Sequence, residues 1–240
     1  MKTRAWPLAV CAAALVLASV AAQSPARAQS FAFAGETVIS GRPVNPVLTG
    51  VAPGARVEIT AERNGTPPFG GGPVLYRSRA VFTADAAGTV DLTAAAPVEG
   101  DYEGADGRGL FWSMKATRDP AQADAPAGQV VFTARVDGAP VATGRVRVLR
   151  ADPAVVTTPV GDALPGAVFA SLPGPEKRPV VILLGGSEGG SFVARTYAGK
   201  FASEGFAVLG LPYYSPQWGP QPQEIPGLPR SFVDIDASYL

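Results

Sequence analysis

The residues best placed to do chemistry lie in one turn, Gly185-Gly186-Ser187-Glu188-Gly189-Gly190. Its first five residues satisfy G-x-S-x-G, in which a serine on a sharp strand-to-helix turn serves as an acyl-transfer nucleophile. Ser187 would be that nucleophile. A serine hydroxyl needs a base to take its proton, and the sequence has no histidine. A Ser-Lys arrangement would need Lys177 or Lys200, and Lys200 reads more simply as a solvated charge on a helix. The plain alternative is a tight packing turn. No register of it gives G-x-G-x-x-G, and no GK[ST] follows, so neither a dinucleotide nor a phosphate-loop site is indicated.

The missing histidine also removes the commonest metal ligand. Asp101, Glu103 and Asp106 cluster ahead of Gly107, but their spacing is not that of a calcium loop, and an acidic surface turn accounts for them. No metal and no cofactor are expected.

The elements that must position the turn can be read around it. Residues 181–184 form an apolar run bounded by turn residues, the pattern of a strand buried on both faces. Residues 191–203 have helical spacing, with Phe192, Val193, Tyr197 and Phe201 near one side and Gly205 as a C-cap candidate. Residues 206–211 read as a second buried strand. Strand, glycine turn, helix and strand make a right-handed βαβ unit, whose ligands sit beyond the carboxyl ends of the strands. Prolines then recur through residues 212–230, which predicts an irregular excursion. Residues 231–240 are expected to open a helix with Ser231 as its N-cap.

Residues 31–150 are patterned as β throughout. Candidate strands cover residues 36–39, 45–49, 56–62, 75–84, 89–93, 109–115, 129–136 and 141–149. Val57 and Ile59 share one face, as do Val146 and Val148, so one side is packed and the other wet. Asp137-Gly138 between two β runs signals a hairpin. Short strands at this spacing predict a two-sheet sandwich of immunoglobulin-like architecture. Residues 151–178 are read as a linker, with one strand over 167–172. Residues 179–240 supply only about two strands of a parallel sheet, so that unit is expected to be incomplete, continuing beyond Leu240.

Lys2 and Arg4, an uncharged apolar stretch over residues 9–22 and the small-x-small Ala26-Arg27-Ala28 read as a secretory signal over residues 1–28, cleaved near Ala28. Cleavage would remove three basic residues and no acid, taking the net charge from 0 to −3. No basic patch points to nucleic acid, and no later stretch reaches the length of a membrane span. The sole cysteine, Cys11, lies inside the signal, leaving no disulfide and no thiol nucleophile. A periplasmic or secreted protein is expected.

Three stretches carry a resemblance: AVFTADAAGTVDL at 80–92, DYEGADGRGLFWSM at 101–114, and RPVVILLGGSEGG with YAGKFASEGFAVLGLPYY at 178–190 and 197–214. Together they resemble the acyl-CoA thioester hydrolase family, which includes the bile acid-CoA:amino acid N-acyltransferases. The resemblance implies a β-sandwich followed by an α/β-hydrolase domain, and acyl transfer through a serine or cysteine acyl-enzyme. It places the glycine turn at the family's oxyanion-hole loop, with the Gly186 and Ser187 backbone as donors. Tyr213, Tyr214 and Trp218 would line an acyl pocket or simply pack the proline-rich loop; Phe111, Trp112 and Met114 read as core and interdomain packing. The nucleophile, acid and histidine are expected beyond Leu240, so the chain alone is expected to be inactive, and a complementing C-terminal hydrolase half is a possible partner. An acyl thioester or ester is the expected substrate. Two alternatives stand beside this reading, a non-catalytic secreted β-sandwich binding module and a dienelactone-hydrolase-like esterase.

Overall fold

The structure, a computed structural model, describes residues 28–66, 72–120 and 128–236. Residues 1–27 of the predicted signal lie outside the described residues. The first eleven elements run β1 (Ser30–Ala32), β2 (Thr37–Ile39), β3 (Val47–Thr49), β4 (Arg56–Gly65), β5 (Val74–Thr83) and β6 (Val90–Asp91), then β7 (Glu99–Gly100), α1 (Gly109–Trp112), β8 (Lys115–Pro120), β9 (Gln129–Val136) and β10 (Ala139–Leu149). They form two sheets. The larger has the order β2-β10-β9-β4-β5-β7 with β8 also on β5, and the smaller is β1-β3-β6.

Alternation builds the core between them. Val57, Ile59 and Ala61 of β4, Ala80 and Phe82 of β5, and Phe132 and Ala134 of β9 pack with Leu48 and Val90 of the smaller sheet. The other face of β4 and β5 is polar, with Arg79 bridging Glu58 at 2.6 Å and Glu99 at 2.7 Å. These guanidinium contacts hold the Glu99 carboxyl below its ordinary range. The β9–β10 hairpin turns on Asp137 and Gly138, both with positive φ (50° and 79°), the two-residue geometry that Asp-Gly favours. The result is a β-sandwich.

The stretch 109–115, expected as a strand, instead opens with the single helical turn α1. Asp106 decides this locally. Its carboxylate accepts the Arg108 backbone N–H at 2.7 Å and the Trp112 indole N–H at 2.8 Å, while its carbonyl accepts the Gly109 N–H at 2.9 Å. Local side-chain bonding of this kind competes directly with a strand ladder. The indole N–H, more than any other contact, holds the Asp106 carboxyl below its usual range, aided by the Arg108 N–H. A carboxyl whose folded value is depressed stabilises the fold above its unfolded value, and that contribution vanishes as pH falls through the folded value. Asp106→Asn is therefore expected to cost about 1 kcal/mol near pH 7, the low figure reflecting solvent access. Urea melts of both proteins should converge as pH falls through the depressed folded value of Asp106, below the ordinary carboxyl range.

A third sheet follows. Residues 151–178, read as linker, supply two of its strands, β11 (Val156–Pro159) and β12 (Val168–Ser171). Val156, Thr157 and Thr158 favour extended chain, and Pro159 is tolerated because β11 is an edge strand. Then come β13 (Val180–Leu184), α2 (Phe192–Ser203) and β14 (Ala207–Leu211). The order is β11-β12-β14-β13, and only β13 and β14 are parallel. A parallel sheet was expected; this one is mixed, with β14 inserted beside an antiparallel β12.

The expectation that β13 is buried on both faces is also corrected. Val181 and Leu183 face inward, whereas Val180, Ile182 and Leu184 remain 68%, 56% and 45% exposed. The helix turns the other way from its expected face. Ala194, Ala198 and Ala202 are buried, and Phe192, Tyr197 and Phe201 are exposed. Close approach explains the reversal: Gly210 lies so near Ala194 that a Cβ there would stand 2.7 Å from the alanine methyl, leaving no room for aromatic rings. Gly205 ends the helix with φ +94°, and the bonds Gly205 N–H to Ala202 O and Phe206 N–H to Phe201 O form a Schellman cap.

Arg42 ties the sandwich to this layer. It donates to Ser203 O at 2.7 Å and pairs with Glu204 at 3.3 Å. No helix starts at Ser231 among the described residues, which stop at 236; its hydroxyl accepts the Val233 N–H in a local turn.

Candidate functional site

The glycine turn leaves β13 at its carboxyl end and enters α2. Gly189 has φ +58°, and a Cβ there would meet Pro216 at 2.3 Å and the Tyr214 ring at 2.9 Å, so both conformation and space require glycine. The Gly189 N–H closes the turn on Gly186 O at 3.1 Å, and the Gly190 N–H donates to Tyr214 O at 2.9 Å. The Tyr214 hydroxyl in turn donates to Gly186 O at 2.9 Å. Burial, with Tyr213 and Glu188 adding to it, raises the Tyr214 phenol above its ordinary value, so it acts as a donor at neutral pH.

One contact bears directly on anion binding. The Gly186 N–H donates to the Glu188 carboxylate at 2.8 Å. A negatively charged oxygen therefore already occupies a donor that the sequence reading assigned to an oxyanion. Ser187 is exposed, and its hydroxyl makes no hydrogen bond among the described residues. Lys200 lies beside Gly41 on the last turn of α2, and Lys177 is exposed ahead of β13, so neither lysine is held against Ser187.

The proline-rich excursion folds down over the turn. Tyr214, Ser215, Ile225 and Leu228 are buried, and the Gln223 amide donates to Ser215 O at 2.7 Å and Leu228 O at 2.8 Å. Glu224 reaches back to α2, accepting from both the hydroxyl and the N–H of Ser191. A cavity of about 480 Å³ results, lined by Ser187, Tyr214, Pro216, Trp218, Arg230 and Phe232 among others. It brings together Ser187, Tyr214 and Trp218. Tyr213 is not part of its lining; it packs on Tyr214 with centroids 5.2 Å apart. Trp218 is 70% exposed at the cavity mouth.

Sequence reasoning missed Glu188, Arg230 and Phe232. Glu188 sat in plain view between Ser187 and Gly189, and a carboxylate two residues beyond a glycine N–H is within reach of an Asx-like local bond. Arg230 and Phe232 carry no local signal, because only the path of the irregular excursion brings them back. Of the acidic group, Asp101 accepts the Arg79 N–H at 2.7 Å and pairs with Lys115 at 3.2 Å, while Asp106 serves α1, so these carboxylates are committed to turn structure. Phe111 and Met114 pack on the sandwich core, but Trp112 is 58% exposed rather than buried packing.

Comparison with known proteins gives consistent results. Residues 42–153 match the family model described as the acyl-CoA thioester hydrolase/BAAT N-terminal region. Acyl-coenzyme A thioesterase 1 of Rattus norvegicus is 32% identical over 150 residues, covering 59% of this chain and 35% of the relative. The bile acid-CoA:amino acid N-acyltransferase of Homo sapiens is 31% identical over 216 residues, covering 82% of this chain and 49% of the relative. The chain thus spans a third to a half of the length of these relatives.

Proposed function

Because residues 42–153 carry the N-terminal region of the acyl-CoA thioester hydrolase/BAAT family, we propose that this chain forms the substrate-positioning and oxyanion-holding part of an exported acyl thioester hydrolase. On this reading the sandwich is immunoglobulin-like and the third sheet is the opening of an α/β-hydrolase domain. The contact that carries it is the Glu188 carboxylate on the Gly186 N–H, at the carboxyl end of β13. A donor that holds one carboxylate oxygen has the geometry to hold the oxyanion of a tetrahedral intermediate. The Gly186 and Ser187 N–H groups are the assigned donors, and Tyr214 and Trp218, with Tyr213 behind them, shape the acyl side.

The chemistry follows from that assignment. A nucleophile adds to the thioester carbonyl carbon, and the carbonyl π electrons move onto oxygen, where the backbone donors stabilise them. Collapse expels the coenzyme A thiolate, and water then releases the acyl group from the acyl-enzyme. The nucleophile, its acid and its histidine come from residues outside these 240, in a complementing hydrolase half. The surface for that half is the third sheet, where among the described residues β13 pairs only with β14 and Val156, Phe169, Val180, Ile182 and Leu184 share one exposed face. A non-catalytic binding module is the second reading, and the absence of any histidine from the sequence favours it.

The test uses decanoyl-CoA and a ketone analogue in which a methylene replaces the thioester sulfur. Thiol release by this chain alone should stay at background. The analogue should bind, perturb the Gly186 and Ser187 amide resonances, and bind Glu188→Ala about five- to tenfold tighter, the equivalent of one freed hydrogen bond of about 1 kcal/mol. Thiol release that Ser187→Ala abolishes would make Ser187 the nucleophile and overturn the oxyanion assignment. No binding of the analogue would leave the binding-module reading in its place.

A further inference from the structure

A second and larger cavity, of about 750 Å³, opens on the sandwich itself and involves none of the glycine turn. Four arginines line it, Arg42, Arg63, Arg108 and Arg150, and among the described residues no carboxylate lines it. Its floor is apolar: Val44 and Val130 are 2% and 1% exposed, and Val38 and Val148 adjoin them. Phe111 and Trp112 form a wall. The volume falls within the range of small-molecule sites.

Several of these groups are held in place before any ligand arrives. Arg108 donates to Gly41 O at 3.0 Å, and the Trp112 indole is fixed by Asp106 at 2.8 Å. Arg63 stacks on Tyr76 at 4.9 Å. Arg42 pairs with Glu204 at 3.3 Å, the Asp106 carboxylate lies close enough to Arg108 to feel its charge, and Lys200 adds a further cation beside Gly41. Arg150 is exposed and has no ion pair or hydrogen bond among the described residues. Four guanidiniums and Lys200 stand about one cavity against the carboxylates of Glu204 and Asp106, which leaves the local potential positive, and an anion relieves it. Guanidiniums suit carboxylate and phosphate oxygens in particular, through their planar fork of donors.

We propose that this cavity binds an amphiphilic anion, with a carboxylate or phosphate head on the arginines and an aliphatic body against the valine floor and the Phe111–Trp112 wall. The inference does not rest on the thioesterase reading, since its ligand need contain no thioester. The two heads share one recognition chemistry, and the experiment separates them.

Calorimetric titrations of the full chain with decanoate, decyl phosphate and neutral decanol, each below its micelle concentration, provide the test. One or both anions should bind with 1:1 stoichiometry, and decanol at least tenfold more weakly. Whichever anion binds more tightly identifies the head group. Arg108→Gln/Arg150→Gln should weaken that anion at least tenfold. Arg150→Gln alone should weaken it about threefold, and since Arg150 holds nothing in the fold, that loss cannot come from misfolding. Decanol binding as tightly as the anions, no saturable binding of either anion, or unchanged affinity in both arginine variants would overturn the proposal. So would loss of binding in Trp218→Ala with the arginine variants unaffected, because the ligand would then sit in the other cavity.

Discussion

Phe132→Ala should lower the stability of the sandwich by about 3–5 kcal/mol, the range for removing a fully buried aromatic ring. Phe132 is 0% exposed, and its ring meets three others, Phe33 at 5.2 Å, Phe111 at 5.7 Å and Phe31 at 6.0 Å. Those partners come from two separate stretches, the N-terminal segment and α1. The cavity left behind cannot be closed by one neighbour relaxing. Urea unfolding followed by far-ultraviolet circular dichroism is the check. A loss under about 1 kcal/mol would mean that the aromatic cluster contributes packing that the chain can do without.

Gly109→Ala should also destabilise, by about 1–3 kcal/mol, although alanine is ordinarily the better residue in a helix. A Cβ at Gly109 would stand 2.2–2.5 Å from three carbons of the Tyr102 ring. That ring is 5% exposed and sits edge-on to Trp112 at 5.8 Å, so it has little freedom to retreat. Tyr102→Phe isolates the ring from its hydroxyl. The hydroxyl has no hydrogen-bond partner among the described residues, and burial, with a smaller effect from Asp106, pushes the phenol up to about 12. Removing it should leave stability unchanged or raised at pH 7. The wild type should lose stability between pH 10 and 12, where the unfolded phenol ionises and the buried one does not, and Tyr102→Phe should lack that component. The double variant should keep the full Gly109→Ala loss, because the clash is with ring carbons. Thermal melts of the four proteins across pH 7–11 test both statements.

How much of this was legible in the sequence depended on the range of the interactions involved. Val57 and Ile59, Val146, and the Asp137-Gly138 turn announce themselves by local pattern, and each lies in the expected strand or hairpin. The errors arose where a specific partner outside the segment's own pattern decided the outcome. Residues 109–115 have strand composition, but the Asp106 carboxylate two to six residues upstream captures the Arg108 N–H and the Trp112 indole and winds a turn. The outward face of α2 followed from Gly210, a residue of the next strand, which admits Ala194 and excludes Phe192 and Tyr197. Residues 156–159 looked like linker because their pairing partner, β12, begins nine residues further on. In the candidate site the turn itself and Tyr214 were readable from sequence, whereas Arg230 and Phe232 enter the cavity only through the path of a proline-rich excursion that has no periodicity to read.

The strand order of the third sheet has a consequence for how the molecule is made. β14 lies between β12 and β13, both of which precede it in the chain. As the polypeptide emerges, β12 and β13 must wait, unpaired with one another, until α2 and the residues of β14 have been synthesised. The sandwich has waits of its own, since β2 pairs with β10 and β4 with β9, but every one of them ends once residue 149 is out. Synthesis therefore divides into an early unit complete by residue 149 and a later one that forms by threading β14 into a reserved gap. A nascent chain arrested at Ser203 would hold a finished core and an unfinished sheet, and this is the interval in which chaperones would find it.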